Sequence, residues 1–176
     1  VANPINTDKI SYTELKITNK TVIFLGINRY SYVRKGIVFF EKALAIIKEK
    51  YADKVEIIVT ENIPYAEYIA IYNRAHILLD QVYAYDQGYN ALEAMAKGKV
   101  VFTGAEKEFL EHYNLEEDEV AVNTLPDVDY LVEKLSFLVE NPQKIQEISE
   151  KAKSFIKREH HYIKIAQKYL NIWTKN

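Results

Sequence analysis

Apolar residues recur along the chain in two alternating rhythms. Thr21-Val22-Ile23-Phe24-Leu25-Gly26 is a continuous apolar run closed by glycine, the pattern of a strand covered on both faces. After a polar loop, Phe40, Leu44, Ile47 and Tyr51 recur at helical spacing across 37–51, leaving Lys48, Glu49 and Lys50 for water. Val55-Glu56-Ile57-Ile58-Val59 predicts a second strand, and Tyr65, Ile69 and Tyr72 mark a second helix whose start Pro64 favours. His76-Ile77-Leu78-Leu79-Asp80 is a third strand, 88–97 a third helix, and Lys99-Val100-Val101-Phe102 a fourth strand between Gly98 and Gly104. A fifth strand is expected near Val120-Ala121-Val122. Three apolar stripes then predict helices: Val128, Leu131, Leu135, Leu138; Ile145, Ile148, Ala152, Phe155; and Ile163, Ala166, Leu170, Trp173.

Strands separated by helices of roughly 10 to 15 residues cannot pair as hairpins. The expected fold is therefore α/β: a Rossmann-like parallel sheet of about five strands, helices on both faces, and the C-terminal helices packed alongside. With no repeat, low-complexity tract or internal linker, residues 1–176 are expected to form a single domain. A 48% hydrophobic content excludes disorder as the dominant state. The net charge of −2 gives no general pull toward nucleic acid, so any anion site must come from local arrangement. The absence of cysteine excludes disulfides, thiolate metal sites and a cysteine nucleophile. No run approaches the roughly 18 apolar residues that span a bilayer, and the N-terminus lacks a signal-peptide layout. The expected location is the cytoplasm, with peripheral membrane association open for a full-length protein. The chain starts Val1-Ala2-Asn3-Pro4 without methionine, which suggests processing or a piece of a longer protein.

In an open parallel sheet, ligands bind beyond the carboxyl ends of the strands, so the loops to inspect are 27–36, 60–64, 81–88 and 104–106. The first carries Arg29, Arg34 and Lys35 and leads into a helix, which suits an anion such as a diphosphate; an ordinary solvated loop fits its composition equally. The third alternates polar groups and rings through Tyr85, Asp86, Gln87, Gly88, Tyr89 and Asn90, as a pocket for a polyhydroxylated ligand requires. Gly88 would let backbone approach a phosphate closely, and Glu93, inside the following helix, could reach a hydroxyl pair. Simple packing for the tyrosines and a solvent-facing role for Glu93 are the alternatives.

Three segments together carry a resemblance: Arg34-Lys35-Gly36 after the first strand, Tyr72-Asn73-Arg74-Ala75-His76-Ile77-Leu78-Leu79, and Gly88-Tyr89-Asn90-Ala91-Leu92-Glu93-Ala94-Met95-Ala96-Lys97-Gly98-Lys99-Val100-Val101. The chain resembles the C-terminal half of GT-B fold glycosyltransferases of the retaining "glycosyl transferases group 1" type. The likeness covers nearly the whole chain and is most specific at Leu92 to Val101. Residues 1–19 look like the interdomain connection and lead-in, and 157–176 like the closing helix.

The resemblance implies that this half binds a nucleotide-diphosphate sugar, while a separate N-terminal domain holds the acceptor, a sugar or lipid-linked glycan. Neither cofactor nor metal is implied. Lys35 with Arg29 or Arg34 would stabilise the diphosphate as the sugar departs, and the amides after Gly88 would cap it. Glu93, matching the second acid of the family's paired-glutamate motif, would bond the ribose hydroxyls, while Asn62 and Ile63 lie where the base is held. The first acid of that motif falls on Tyr85, so either Asp86 takes its place or the sugar contact has changed. The second strand also runs almost directly into the helix at 64, where the family commonly inserts another helix and strand.

Other motifs are read structurally. Asp127-Val128-Asp129 matches a metal-binding pattern but follows Pro126 at a helix start, where acids cap. His160 and His161, about 100° apart on a helix, cannot easily chelate one ion and suit surface or interdomain packing. Glu116-Glu117-Asp118-Glu119 suits a solvated turn. A non-catalytic association domain of the same fold is the rival to a sugar-transfer enzyme. A flavodoxin-like or receiver domain would need Ser/Thr-rich or paired Asp residues after the first strand, where this chain is basic.

Overall fold

The computed structural model describes every residue except Thr13, Lys175 and Asn176. Five strands form one parallel sheet: β1 (Thr21–Ile27), β2 (Val55–Glu61), β3 (Ile77–Leu79), β4 (Val100–Thr103) and β5 (Val122–Asn123). Their spatial order is β2-β1-β3-β4-β5, one of the common doubly wound arrangements. β1 pairs along its full length with β2, from Thr21 against Val55 to Ile27 against Glu61, and with β3 from Ile23 against Ile77 to Leu25 against Leu79.

The period-two alternation of the strands divides the core. Ile23, Leu25, Ile27, Ile77, Leu79, Val100 and Phe102 meet helices α2 (Ile37–Lys50) and α6 (Val128–Glu140) on one face. Phe24, Leu78 and Val101 meet α3 (Tyr65–Arg74), α4 (Tyr89–Ala96) and α5 (Lys107–Tyr113) on the other. Helix α7 (Pro142–Phe155) contributes Ile145 and Ile148 to the first cluster and Ala152 and Phe155 to the second, closing the β4 side. The α/β architecture, the five strands and the helices on both faces are as the periodicity predicts.

Several details differ. The basic stretch after β1 is not a plain loop. The Asn28 side chain accepts from the Tyr30 amide at 3.0 Å and starts a 3-10 turn over Arg29–Ser31, which runs into a one-turn helix α1 (Tyr32–Lys35). Helix α5 was not expected, because it is short and only Phe109 is fully buried from it; it ends on Asn114 at φ 52°. The acidic stretch 116–119 is tied rather than simply solvated: Lys134 Nζ bonds Glu117 Oε1 at 2.8 Å and Asp118 Oδ2 at 2.5 Å. Asp127 caps α6 as expected, accepting from the Tyr130 amide at 3.1 Å.

His160 is buried rather than at the surface. It lies in a π-helical turn, Ile156–His160, with Nδ1 donating to Asn3 O at 2.9 Å. The same region joins the two chain ends: the Ile5 amide donates to His160 O at 2.7 Å and the Tyr162 amide to Ile5 O at 3.1 Å. The stripe Ile163, Ala166, Leu170 and Trp173 on α8 (Tyr162–Trp173) faces water, and only Ile165 is buried from that helix. No described helix is long and apolar enough to cross a membrane.

The amino ends of the strands hold one buried basic group and one half-buried one. Lys99, 2% exposed, donates from Nζ to Asn73 O at 2.7 Å, and burial, helped by Lys97, lowers its pKa to about 8. His76 Nδ1 accepts from the Val22 amide at 2.9 Å, fixing a neutral ring whose pKa burial lowers.

Two predictions follow from this packing. A methyl at Gly104 would overlap the backbone of Ala84 and Asp86, so Gly104→Ala should cost roughly 3 kcal/mol in urea unfolding; a wild-type midpoint would show that the loop can yield. For His76 and His160, the pKa in the folded state lies below the unfolded value, burial being the main cause in each. The unfolded chain therefore takes up protons first as pH falls below about 6.5, and stability present above that value is lost toward pH 5. His76→Gln should flatten the decline in melting temperature between pH 7.5 and 5; an unchanged slope would contradict this.

Candidate functional site

Connections from β1 and β3 leave toward opposite faces of the sheet, α2 on one and α4 on the other, so a crevice opens between the carboxyl ends of these neighbours. Next to it, over the carboxyl ends of β1 and β2, lies a hollow of about 340 Å³ lined by Gly26, Ile27, Asn28 and Lys35 from the β1 side. Thr60, Asn62, Ile63, Tyr68 and Asn90 complete the lining. Tyr68 packs so closely over β1 that a Cβ on Gly26 would lie 2.7 Å from its ring, which is why glycine stands there.

Asp80 lies behind the lining and holds two of its residues, Lys35 and Asn90. Alternation along β3 puts it on the face of Leu78, at the strand's carboxyl end, where it is 4% exposed. Oδ1 accepts from Lys35 Nζ at 2.8 Å and from Asn90 Nδ2 at 2.9 Å, and Oδ2 from Thr103 Oγ1 at 3.4 Å. A carboxylate this deep needs such partners, because an unpaired buried charge is very costly. Lys35 arrives from the end of α1. Its carbonyl accepts from the Val82 amide at 2.8 Å, and Gly36 at φ 66° turns the chain into α2. A side chain at Gly36 would also press on Val82.

Helix α4 points its amino end at the crevice. Gly88 stands at the N-cap with an ordinary φ of −80° and no side-chain cap bond, so the first-turn amides have no side-chain acceptor. A Cβ at Gly88 would meet nothing within 4 Å, and the protein's own packing does not require glycine there. Tyr68 donates to Asn90 Oδ1 at 3.4 Å, and burial, with the charges of Asp80 and Glu93, pushes its pKa up to about 12. Its hydroxyl therefore stays protonated.

The expected site residues divide into three sets. Lys35, Asn62, Ile63 and Asn90 meet around the hollow. Glu93 does not line it but stands exposed one turn along α4 from Asn90, near enough to raise the pKa of Tyr68. Lys35 and Glu93 thus share one side of the molecule through Asn90 and Tyr68. Arg29 lies at the rim and is bound to Glu61, with Nε–Oε1 at 2.6 Å and Nη2–Oε2 at 2.5 Å.

The rest stand apart. Arg34, Tyr85, Asp86 and Tyr89 are exposed outside the lining, and Tyr85 is 76% exposed. The charge of Asp86 is felt at Tyr113 and His160, away from Lys35. Gln87 is buried, its amide donating to Gly104 O at 2.6 Å, which pins the 81–88 loop to the end of β4. Sequence reading missed Asp80, Tyr68 and Thr60. Asp80 had a signal, a carboxylate ending the apolar run Ile77-Leu78-Leu79; Tyr68, an ordinary helical tyrosine, had none.

Against this geometry, the sequence matches the family described as "Glycosyl transferase-like" over residues 22–171. The chain belongs to that family. The match takes in residues of all five strands and every residue that lines the hollow. No relative is found by sequence among curated proteins.

The fold recurs in solved structures at low identity. Sucrose-phosphate synthase from Thermosynechococcus elongatus superposes with a TM-score of 0.69 at 16% identity, covering 99% of this chain and 52% of that one. The C-terminal domain of the group 1 family glycosyl transferase LpcC from Francisella tularensis gives 0.65 at 17%, covering 89% and 98%. HepE from Anabaena, solved with UDP, gives 0.66 at 16%, covering 91% and 50%. The chain therefore spans about half the length of two of these proteins and nearly all of the isolated C-terminal domain.

Proposed function

We propose that this domain binds a nucleotide-diphosphate sugar in the crevice between β1 and β3 and stabilises the diphosphate leaving group during sugar transfer. The observation that carries the reading is the convergence, on one buried carboxylate, of Lys35 from the β1 side and Asn90 from the first turn of α4. A lysine amine and free helix-start amides are the donors a diphosphate requires. Gly88 leaves open space at those amides, and Asn62 and Ile63 offer a wall for the base beyond them. The HepE structures with UDP and with UDP-glucose are consistent with such a ligand in this fold.

Chemically, the bond between the anomeric carbon and the phosphate oxygen breaks as the acceptor hydroxyl forms the new glycosidic bond and gives up its proton. The electron pair stays on the diphosphate. Lys35 and the α4 amides stabilise that growing charge, and the contribution is greatest in the transition state. Glu93 binds ribose hydroxyls. No residue of this chain serves as a covalent nucleophile, and no metal is assigned a role. The acceptor, a sugar or lipid-linked glycan, is held by a separate N-terminal domain facing the crevice, where Tyr30, Tyr83, Tyr85 and Tyr89 are exposed. Transfer is retaining, and the 176 residues alone are inactive because one wall of the cleft is absent.

A rival reading, an association domain without catalysis, draws on one observation: neither Tyr85 nor Asp86 lines the hollow where the paired-acid motif would place a sugar-binding carboxylate. Titration calorimetry with UDP, GDP and ADP separates the two. One of them should bind below millimolar concentration, Lys35→Ala should weaken it by about tenfold or more, and Gly88→Ala should weaken it while leaving the melting temperature unchanged. Failure of all three nucleotides to bind would favour the association domain.

A further inference from the structure

We infer that Asp80 sets the preference of this site between a nucleotide-sugar and the nucleoside diphosphate left after transfer, by keeping a fixed negative charge beneath the phosphate-binding lysine. The inference rests on the diphosphate reading above and assigns a role to a residue that reading leaves as scaffold.

Two cations at the crevice, Lys35 and Arg29, are already balanced by carboxylates. Arg29 is paired with Glu61, but those side chains are 53% and 38% exposed. Water and salt screen such a pair, and Glu61 can swing into solvent when an anion claims the guanidinium. Asp80 has no such exit. Its side chain is 2% exposed in the pair with Lys35, it accepts from three side chains, and its amide is held by Phe102 O at 3.0 Å. Whatever anion Lys35 receives is bound with the carboxylate still in place.

That fixed charge acts unequally on donor and product. A diphosphate esterified at both ends carries two negative charges. When the sugar leaves, the terminal phosphate becomes a monoester that ionises again near pH 6, and at neutral pH the product carries a third charge. Repulsion from Asp80 falls on all of them, and the third charge of the product adds to it. Asp80 thus holds Lys35 in position for the departing phosphate and disfavours retention of the diphosphate once it is free.

The test is calorimetry on the wild type and Asp80→Asn at pH 7.5 and 5.5, with UDP against UDP-glucose, ADP against ADP-glucose, and GDP against GDP-mannose. For the pair that binds, Asp80→Asn should strengthen the diphosphate about tenfold and the nucleotide-sugar only about threefold at pH 7.5. The difference should disappear at pH 5.5, where the product has lost its third charge. Equal gains for both ligands, or weaker binding of both, would overturn the inference, since a scaffold role alone cannot separate them. If the variant does not fold, the wild type still decides: its preference for the nucleotide-sugar over the diphosphate should be greater at pH 7.5 than at 5.5, and a preference that does not change with pH overturns the inference. Absence of wild-type binding to every pair would instead remove the diphosphate reading itself, and this inference with it.

Discussion

The position of β1 between β2 and β3 is the constraint on which the rest of the molecule depends. A strand buried on both faces and paired on both edges cannot shift, and the chain must leave it toward α2 and return over it through α3. Helices departing on opposite faces cannot close the space above the strand ends. Polar groups therefore collect at that gap as well as at the amino ends of β3 and β4, while most other strand positions are filled by Ile, Leu, Val and Phe. The same burial makes the region intolerant of change. Gly26 yields to the Tyr68 ring, and Gly36 and Gly104 yield to the 81–88 loop, so the walls of the crevice are held by close packing rather than by exposed contacts.

Within the gap, charge is distributed by depth. Pairs at the rim, such as Arg29 with Glu61, exchange readily with water and ions. The Lys35–Asp80 pair is different, because one partner is buried and the other partly open. A half-buried ion pair gives little net stability, but it fixes a cation in place with its free side toward the opening. On the proposed function, that arrangement suits a ligand that gains negative charge as the sugar leaves. Membership of a glycosyl transferase-like family is compatible with the proposed diphosphate site at the strand ends.

The chain ends tell a related story. Ile5 pairs with the segment at His160 to Tyr162, so the first and last parts of the chain meet at one place. From there α8 extends with Ile163, Leu170 and Trp173 in water, although this helix has an evident apolar side. Sucrose-phosphate synthase and HepE, which superpose on most of this chain, are about twice its length, whereas the isolated LpcC domain is of similar length.

Much of this was legible in the amino-acid sequence, because it rests on local periodicity. Continuous apolar runs such as Val22 to Leu25 and helical stripes such as Leu131, Leu135 and Leu138 fix the elements, and their alternation fixes a parallel sheet. The Leu92 to Val101 stretch pointed to the family. What local pattern cannot carry is which side chains from distant loops meet. Gln87 and Asp86 looked equivalent to Asn90 in sequence, yet the fold buries the first, leaves the second exposed outside the lining and sets only Asn90 of the three in the hollow. Asp80 gained its partners only when α1, α4 and β4 were assembled around the end of β3, since Lys35 is 45 residues away and Thr103 is 23. Hydrophobic burial is encoded by spacing along the chain; the pairing of charges is decided by three-dimensional distance and by how much water remains between them.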